Sequence, residues 1–233
     1  MATAILQSRM GSTRLPGKAL MPILGKPMTW YAIETLKRSP VVERIVLAVP
    51  DKTEDDALVT LAQECGIDWF KGAELNVLQR FYEASLQFPD QYYFRATGDN
   101  PIIDYQNPQR TLNHLIRQGL DYAQERGLPV GAVVEAFTAD ALERAYQQGN
   151  SAEDLEHVTW YMKKSGRFRM QYIDAPAELC WPQLRLTVDY PEDFQRVSRI
   201  IRHLYRERIP EFSEVIAFAR EEQQDRLYPE TGT

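Results

Sequence analysis

Cysteine is scarce: two in 233 residues, Cys65 and Cys180, with neither C-x-x-C nor Cys/His spacing. A disulfide scaffold and a thiolate metal site are therefore not expected; two reduced core thiols of a cytoplasmic protein are. Long apolar runs are also missing. The strongest, Ile45–Pro50 and Val130–Val134, fall far short of the ~20 residues that span a bilayer. The opening M-A-T-A-I-L-Q has no basic n-region and does not read as a secretory signal. No internal repeat, low-complexity tract or Gly/Ser linker divides the chain. The expectation is one domain over residues 1–233, soluble and cytoplasmic, without a membrane role.

A further absence is local. Residues 1–33 hold no acid, yet they carry Arg9, Arg14, Lys18 and Lys26. The remaining 200 residues have 23 basic against 33 acidic side chains, and the whole chain is −6. A general nucleic-acid binder is disfavoured, because no basic stripe elsewhere offsets that acidity. With 44% hydrophobic and 26% charged residues, the chain has ample material for a packed core.

Patterning alternates strand and helix through the first hundred residues. Thr3–Gln7 reads as a buried first strand, Arg44–Val49 as a second, Ile67–Phe70 as a third and Gln91–Thr97 as a fourth. Between them, Pro27 suits the first turn of a helix bearing Trp30, Ile33 and Leu36. Thr53 with Asp56 forms a candidate capping box for a helix through Glu64 that Gly66 ends. Val77–Leu86 reads as a helix with Leu78, Phe81, Tyr82 and Leu86 for one face. Later come helices near 107–118, 139–148 and 152–164, strands near 129–137, 168–173 and 185–188, and a helix after Pro191 with Phe194, Val197, Ile200, Ile201 and Leu204 on one face. Such alternation predicts a mostly parallel sheet covered on both faces. In that architecture ligands sit beyond the carboxyl ends of the strands.

The cations fall on this edge. Residues 7–18 read Q-S-R-M-G-S-T-R-L-P-G-K directly after the first strand. Glycines let backbone N–H groups approach an anion, and Arg and Lys neutralise it, which is equipment for a polyphosphate. A Walker A loop fails, since five residues separate Gly11 from Gly17 and Ala19 stands where its hydroxyl should be. A dinucleotide fingerprint fails too, because there is no G-x-G-x-x-G. A plain basic surface loop with turn glycines is the structural alternative.

The stretch A-I-L-Q-S-R-M-G-S-T-R-L-P-G-K resembles the opening signature of the cytidylyltransferases that make CMP-activated acidic sugars, nearest to the spore-coat polysaccharide biosynthesis protein F branch. The likeness continues through R-F-Y-E-A at 80–84, R-A-T-G-D-N-P-I-I-D at 95–104, E-H-V-T at 156–159 and R-L-T-V-D-Y-P-E-D-F at 185–194. The resemblance implies a three-layer α/β/α fold of the nucleotide-diphospho-sugar transferase (GT-A-like) kind. It also implies transfer of CMP from CTP to a sugar or sugar acid, with Mg²⁺ as cofactor.

Asp99 and Asp189 each follow a strand and stand close before a proline, so either could be a turn or cap residue. The resemblance assigns both to the metal, because family members place an aspartate at each position. Asp104, Glu192 and Asp193 are expected to be cap or surface acids. Lys18 and Arg14 are the candidate catalytic cations on the triphosphate, with Arg9 and the Gly11–Ser12 backbone beside them. Family likeness places the Gln7–Ser8–Arg9 backbone and the Arg95–Thr97 segment by the base and ribose, though Arg95 could equally be a structural ion-pair partner. Glu135, Glu156 and His157 fall in the downstream blocks as acceptor-pocket candidates, His157 against the ordinary expectation of a packed or surface histidine. Departures gather in that half: Asn76 where family members carry an acid, Val133 where they carry a polar residue and Leu155 where a basic one is frequent. They put the acceptor in question rather than the reaction. A nucleotidyltransferase using another NTP and a sugar phosphate, and a non-catalytic binding homologue, are the competing readings. Because related enzymes often pair through their second half, a homodimer through 128–164 is a further expectation. The tail Asp225–Thr233 is read only as a fraying end.

Overall fold

The computed structural model describes residues 1–227; most of the tail, 228–233, lies outside the described residues. A seven-stranded sheet runs in the order β5 (Asp68–Gly72), β4 (Val42–Pro50), β1 (Ala2–Gln7), β6 (Tyr92–Thr97), β8 (Glu135–Thr138), β7 (Tyr122–Arg126), β9 (Met170–Asp174). Its first half is wholly parallel: β1 (Ala2–Gln7) pairs with β4 (Val42–Pro50) and β6 (Tyr92–Thr97), and β4 with β5 (Asp68–Gly72). The helices α1 (Met28–Lys37), α2 (Asp56–Glu64) and α3 (Val77–Gln87) supply the crossovers. A two-residue hairpin, β2 (Pro22–Ile23) with β3 (Lys26–Pro27), leads into α1. In the second half, α4 (Asn107–Gln118) feeds β7 (Tyr122–Arg126), and β8 (Glu135–Thr138) runs antiparallel to both β6 and β7. Then come α5 (Ala139–Gln148), α6 (Ala152–Glu156), α7 (Trp160–Lys164), β9 (Met170–Asp174) parallel to β7, α8 (Pro191–Leu204) and α9 (Phe212–Leu227).

Three apolar clusters bind the layers. One face of the sheet packs on Ile33 and Leu36 of α1, Leu58 and Leu61 of α2, and Leu112 and Leu115 of α4. The other receives Leu78 and Phe81 of α3, Leu142 of α5 and Met162 of α7. A third cluster joins Met28 and Tyr31 to α8 and α9 through Val197, Ile201, Phe212 and Ile216. Each fully buried Leu, Ile or Phe contributes roughly 1.5–3 kcal/mol of transfer free energy.

Strand order reverses beside β1, since the chain builds outward to β4 and β5 and then returns to lay β6 on its other side. A doubly wound sheet opens its ligand crevice at such a switch point. Here it lies between the carboxyl ends of β1 and β6, where Gly98 N–H donates to Gln7 O at 2.7 Å.

Several expectations are corrected. Thr53 and Asp56 make no capping box: residues 53–55 form a 3₁₀ turn without a side-chain cap, and Asp56 accepts from Lys71 at 2.8 Å instead. Gly66 does end the helix, at φ +65°. Leu86 points to solvent at 63% exposure, and the inner face of α3 uses Val77 and Ala84 with Leu78 and Phe81. Cys180 is exposed and Cys65 half-buried, so neither is a core thiol, although both are free. The helix expected over 152–164 breaks at 157–159, because the chain turns inward to bury Val158 and Thr159. Of 129–137 only the last residues join the sheet, and 185–188 forms a single bridge, Val130 to Arg185, rather than a strand. The reason is that its backbone is spent elsewhere: Leu186 and Thr187 N–H groups both donate to Val130 O, and Val188 N–H donates to Asp99 O.

Candidate active site

Beyond β1 and β6 lies a cleft of about 370 Å³. Its floor is fixed by the chain after β1. Met10 N–H donates to Asp55 Oδ1 at 2.7 Å, tying the loop to the turn before α2. Gly17, at φ +70°, turns the loop back so that its N–H reaches Met10 O at 3.3 Å and Lys18 opens the next 3₁₀ turn. Asp55 is fully buried, and burial pushes its carboxyl above the usual aspartate range.

Lys18 is the centre of the site. Its Nζ donates to Val188 O at 2.6 Å and sits 3.3 Å from both Asp99 Oδ2 and Asp189 Oδ1. Two carboxylates 90 residues apart in sequence therefore share one ammonium. Arg14 Nη2 adds a contact to Asp189 Oδ1 at 2.9 Å, with its guanidinium 5.2 Å from the Tyr190 ring centre. Arg185 Nη2 holds the other oxygen, Oδ2, at 2.6 Å. Asp193 completes the brace by accepting from the Asp189 and Tyr190 N–H groups at 3.0 and 3.1 Å and from Arg185 Nε at 3.0 Å. Burial opposes ionisation of Asp193, but Arg185 and those N–H groups outweigh it and hold its carboxyl down at about 2. Asp193 is thus a cap, as expected, while Asp104 is buried against Arg110.

Asn100 and Gly131 shape the wall next to Asp99. Asn100 Nδ2 donates to Thr97 Oγ1 at 2.7 Å, whereas its Oδ1 is buried without a partner. Gly131 is at φ +95°, and a Cβ there would lie 2.6 Å from Thr187 N and 2.9 Å from Asn100 Oδ1. Only glycine permits that approach.

Most of the sequence-derived residues meet in this cleft: Gln7 from the end of β1, Ser8, Arg9, Ser12, Arg14 and Lys18 from the segment after it, Arg95 and Thr97 from β6, Asp99 from the turn that follows, and Glu156, His157 and Asp189 from farther along the chain. Gly11 and Glu135 do not line it. Gly11 lies outside, against Glu54. Glu135, proposed from sequence for the acceptor pocket, is buried beneath the floor as a charge hub. It accepts from Thr159 Oγ1 and from Lys163 Nζ at 2.8 Å, and stands 3.5 Å from Arg95 Nη1. Burial opposes its ionisation, but Arg95 and Lys163 outweigh it and keep the carboxyl below the usual glutamate range. Arg95 also donates to Gln7 Oε1 at 3.2 Å, so its ion-pair role is real and coexists with a place on the cleft wall.

Sequence reasoning missed Thr13, Arg80, Asn100, Gly131 and Thr187, all of which line the cleft. For Arg80 a signal existed, namely an arginine on the inward stripe of α3 between Val77 and Ala84. Asp99 and Asp189 offer hard carboxylate oxygens to a cation here. Among the described residues there is no cluster of three or more metal-type side chains. A cation held here would therefore draw its other ligands from substrate or water.

A cation-lined cleft with a paired-aspartate end, at the switch point of this sheet, defines a nucleotidyltransferase of the nucleotide-diphospho-sugar transferase fold. The chain belongs to the cytidylyltransferase family, whose profile matches residues 3–226. It is 32% identical over 202 residues to the spore coat polysaccharide biosynthesis protein SpsF of Bacillus subtilis, covering 84% of each chain. With the 3-deoxy-manno-octulosonate cytidylyltransferase of Lawsonia intracellularis it shares 30% identity over 217 residues, 84% of this chain and 79% of that one. Among solved structures, a cytidylyltransferase from Leptospira borgpetersenii superposes with a TM-score of 0.88 at 25% identity, covering 96% of this chain and 95% of that chain. Among the described residues no helix is long and apolar enough to cross a membrane.

Proposed function

We propose that residues 1–233 act as one Mg²⁺-dependent cytidylyltransferase domain, which joins CTP to a sugar or sugar acid to give a CMP-sugar and pyrophosphate for surface polysaccharide or glycan synthesis. The observation that carries this reading is Lys18 Nζ equidistant from Asp99 and Asp189 at the end of the basic loop. The two carboxylates already face one positive charge, and the donor set suits Mg²⁺, which is typically held by one or two carboxylates together with substrate phosphates. Bound there, the metal would supply charge stabilisation at the phosphate oxygens.

The chain's own residues do the rest. An acceptor hydroxyl oxygen attacks the α-phosphorus, its proton leaves, a new P–O bond forms and the bond to the β-phosphate bridging oxygen breaks. Lys18 and Arg14 oppose the charge that develops on the phosphoryl oxygens, which calls for positioning more than covalent chemistry. The Gln7–Arg9 backbone and Arg95–Thr97 segment hold base and ribose. Glu156, the last residue of α6, and His157, just after it, face the acceptor.

A pyrophosphate-release assay over four NTPs with nonulosonic acids, neutral sugars and sugar phosphates tests this. Release with CTP alone and one acceptor class is the expected result. Preference for another NTP, or tight nucleotide binding without turnover on any acceptor, overturns it. Lys18→Ala and Asp99→Ala should each lower turnover by at least about a hundredfold while the circular dichroism spectrum is kept. Wild-type rates in either would remove the assignment.

A further inference from the structure

The spacing of the two carboxylates at the paired-aspartate end of the cleft is not set by the sheet. Asp99 lies in the turn after β6, and Asp189 ends a stretch that makes only the single bridge of Arg185 to Val130. A backbone hydrogen bond links the two segments, from Val188 N–H to Asp99 O at 2.8 Å. Residues 130–134 add a strap between them. Val130 N–H donates to Leu184 O at 2.9 Å, and Val130 O accepts from the Leu186 and Thr187 N–H groups at 2.8 and 3.1 Å. Gly131 then packs against both Thr187 and Asn100, the neighbour of Asp99. Farther along, the strap is tied to the Asp99 side, where Asp104 N–H donates to Ala132 O at 2.9 Å.

A buried carboxamide anchors this strap from behind. Asn107, the first residue of α4, is fully buried and does not line the cleft. Its Oδ1 accepts from Val134 N–H at 2.8 Å. Its Nδ2 donates to Glu125 Oε2 at 2.9 Å and to Thr111 Oγ1 at 3.2 Å. The two ends of the amide meet opposite demands, since a backbone N–H can only donate and a carboxylate can only accept. An aspartate here would set a second carboxylate against Glu125, and a leucine would answer neither partner. Glu125 is itself fixed by Arg110, whose Nε and Nη2 donate to its two oxygens at 2.6 and 2.8 Å. The same Nη2 reaches Asp104 Oδ2, the carboxylate of the residue whose N–H holds Ala132. Two arms thus leave Arg110, one through Glu125 and Asn107 to Val134 and one through Asp104 to Ala132, and both grip the strap. A satisfied buried network of this kind rigidifies what it holds.

We propose that Asn107 is a positioning residue: through Val134 and the strap it sets the spacing between Asp99 and Asp189 without touching a ligand. Two carboxylates from separate segments serve one ion only while their separation holds, and Mg²⁺ tolerates little departure from its preferred geometry. Groups behind the ligands of a metal commonly decide how well those ligands are aimed. A slack strap would let the 184–189 segment drift from Asp99, so cation affinity falls before the fold is lost. The metal part rests on the cytidylyltransferase reading; the strap does not.

Hydrogen–deuterium exchange and Mn²⁺ binding on the full chain test it. In Asn107→Leu, exchange should rise in the strap and also in the 184–189 segment, which reaches Asn107 only through the strap, while β1 and β4 keep their protection. Electron paramagnetic resonance titration of Mn²⁺ with CTP and no acceptor should show the protein-held ion bound about tenfold or more weakly than in wild type. CMP affinity without metal should stay within about twofold. Asn107→Asp combined with Glu125→Gln exchanges the two groups, keeps the buried charge and restores a donor opposite an acceptor, so Mn²⁺ affinity should return to within about threefold of wild type. If Asn107→Leu does not fold, Asn107→Ser, too short to reach either partner, takes its place with the same expectations. Exchange that rises in the strap alone overturns the proposal, and so does a lowered melting temperature with unchanged Mn²⁺ affinity. A swapped pair that binds Mn²⁺ no better than Asn107→Leu refutes the part given to the amide. Should wild type hold no Mn²⁺ with CTP, the metal reading falls, and exchange alone judges the strap: spread to 184–189 leaves it standing, and no spread removes it.

Discussion

Replacing Glu135 by Gln should separate charge from packing beneath the cleft. The side chain is 6% exposed, and its carboxylate faces Lys163, Arg95 and the Thr159 hydroxyl at once. Glutamine preserves the volume but leaves two cations facing a neutral amide. Removing one partner of a buried ion pair costs about 3–5 kcal/mol; here the Lys163 and Arg95 side chains keep 21% and 18% exposure, so water recovers part, and about 2–3 kcal/mol is expected at pH 7. The sign with pH is fixed by the direction of the shift. The folded carboxyl lies below its ordinary value, so its contribution is present above the usual glutamate range and fades as pH falls through the lower, folded value. Urea denaturation followed by circular dichroism at pH 7 and again at about pH 3.5 should therefore show the gap between wild type and Glu135→Gln closing on acidification. A gap of equal size at both pH values would mean that packing, not charge, is lost. No gap at pH 7 would refute the hub altogether. Adding Lys163→Met should cost less than the sum of the two single changes, because the cation left unpaired is then gone. Arg95 would also lose its rear anchor, so KM for the nucleotide should rise more than kcat falls.

Gly131→Ala should destabilise by roughly 2–3 kcal/mol, since residue 131 sits at φ +95° and its Cβ must displace the Thr187 backbone; a thermal unfolding midpoint equal to wild type would contradict the close approach. Asp55→Asn keeps an acceptor for Met10 N–H and removes a carboxylate that burial penalises, so at pH 7 it should be at least as stable as wild type. Any advantage should shrink as pH falls through the raised folded value, where wild type protonates. Asp55→Ala, by contrast, leaves Met10 N–H without its bond and should cost about 1–2 kcal/mol in urea. If the asparagine variant were the less stable of the two, the account of the loop anchor would fail.

The half of the site that sequence made legible is the half in which chemistry and chain order coincide. Residues 7–18 concentrate their charges and glycines in one loop, and the apolar run before them marks the strand that presents it. Asp99 and Asp189 were readable as strand-end acids, although nothing local could reveal that a lysine bridges them across the crevice. The errors have a common source, which is polar groups satisfied by distant partners. β7 reads as Y-A-Q-E-R, too polar to suggest an interior strand, yet Glu125 is buried because Arg110 and Asn107 reach it from α4. The chain at 185–188 reads as a strand in sequence, but its N–H and C=O groups are taken by Val130, Asp99 and Lys18 rather than by a ladder.

The same logic explains Glu135 and Arg80. A glutamate in an apolar strand and an arginine on an apolar helix stripe are both expensive unless something answers their charge. For Glu135 the answer lies within the protein, in Arg95 and Lys163, and its effect on the cleft is exerted from below through Arg95. For Arg80 the answer is partial: Nη1 donates to the Ala73 and Glu74 carbonyls and the charges of Asp55 and Glu74 act on it, while Nε is buried without a partner. Both charges are anomalous in sequence for the same reason, since the groups that answer them belong to other segments of the chain.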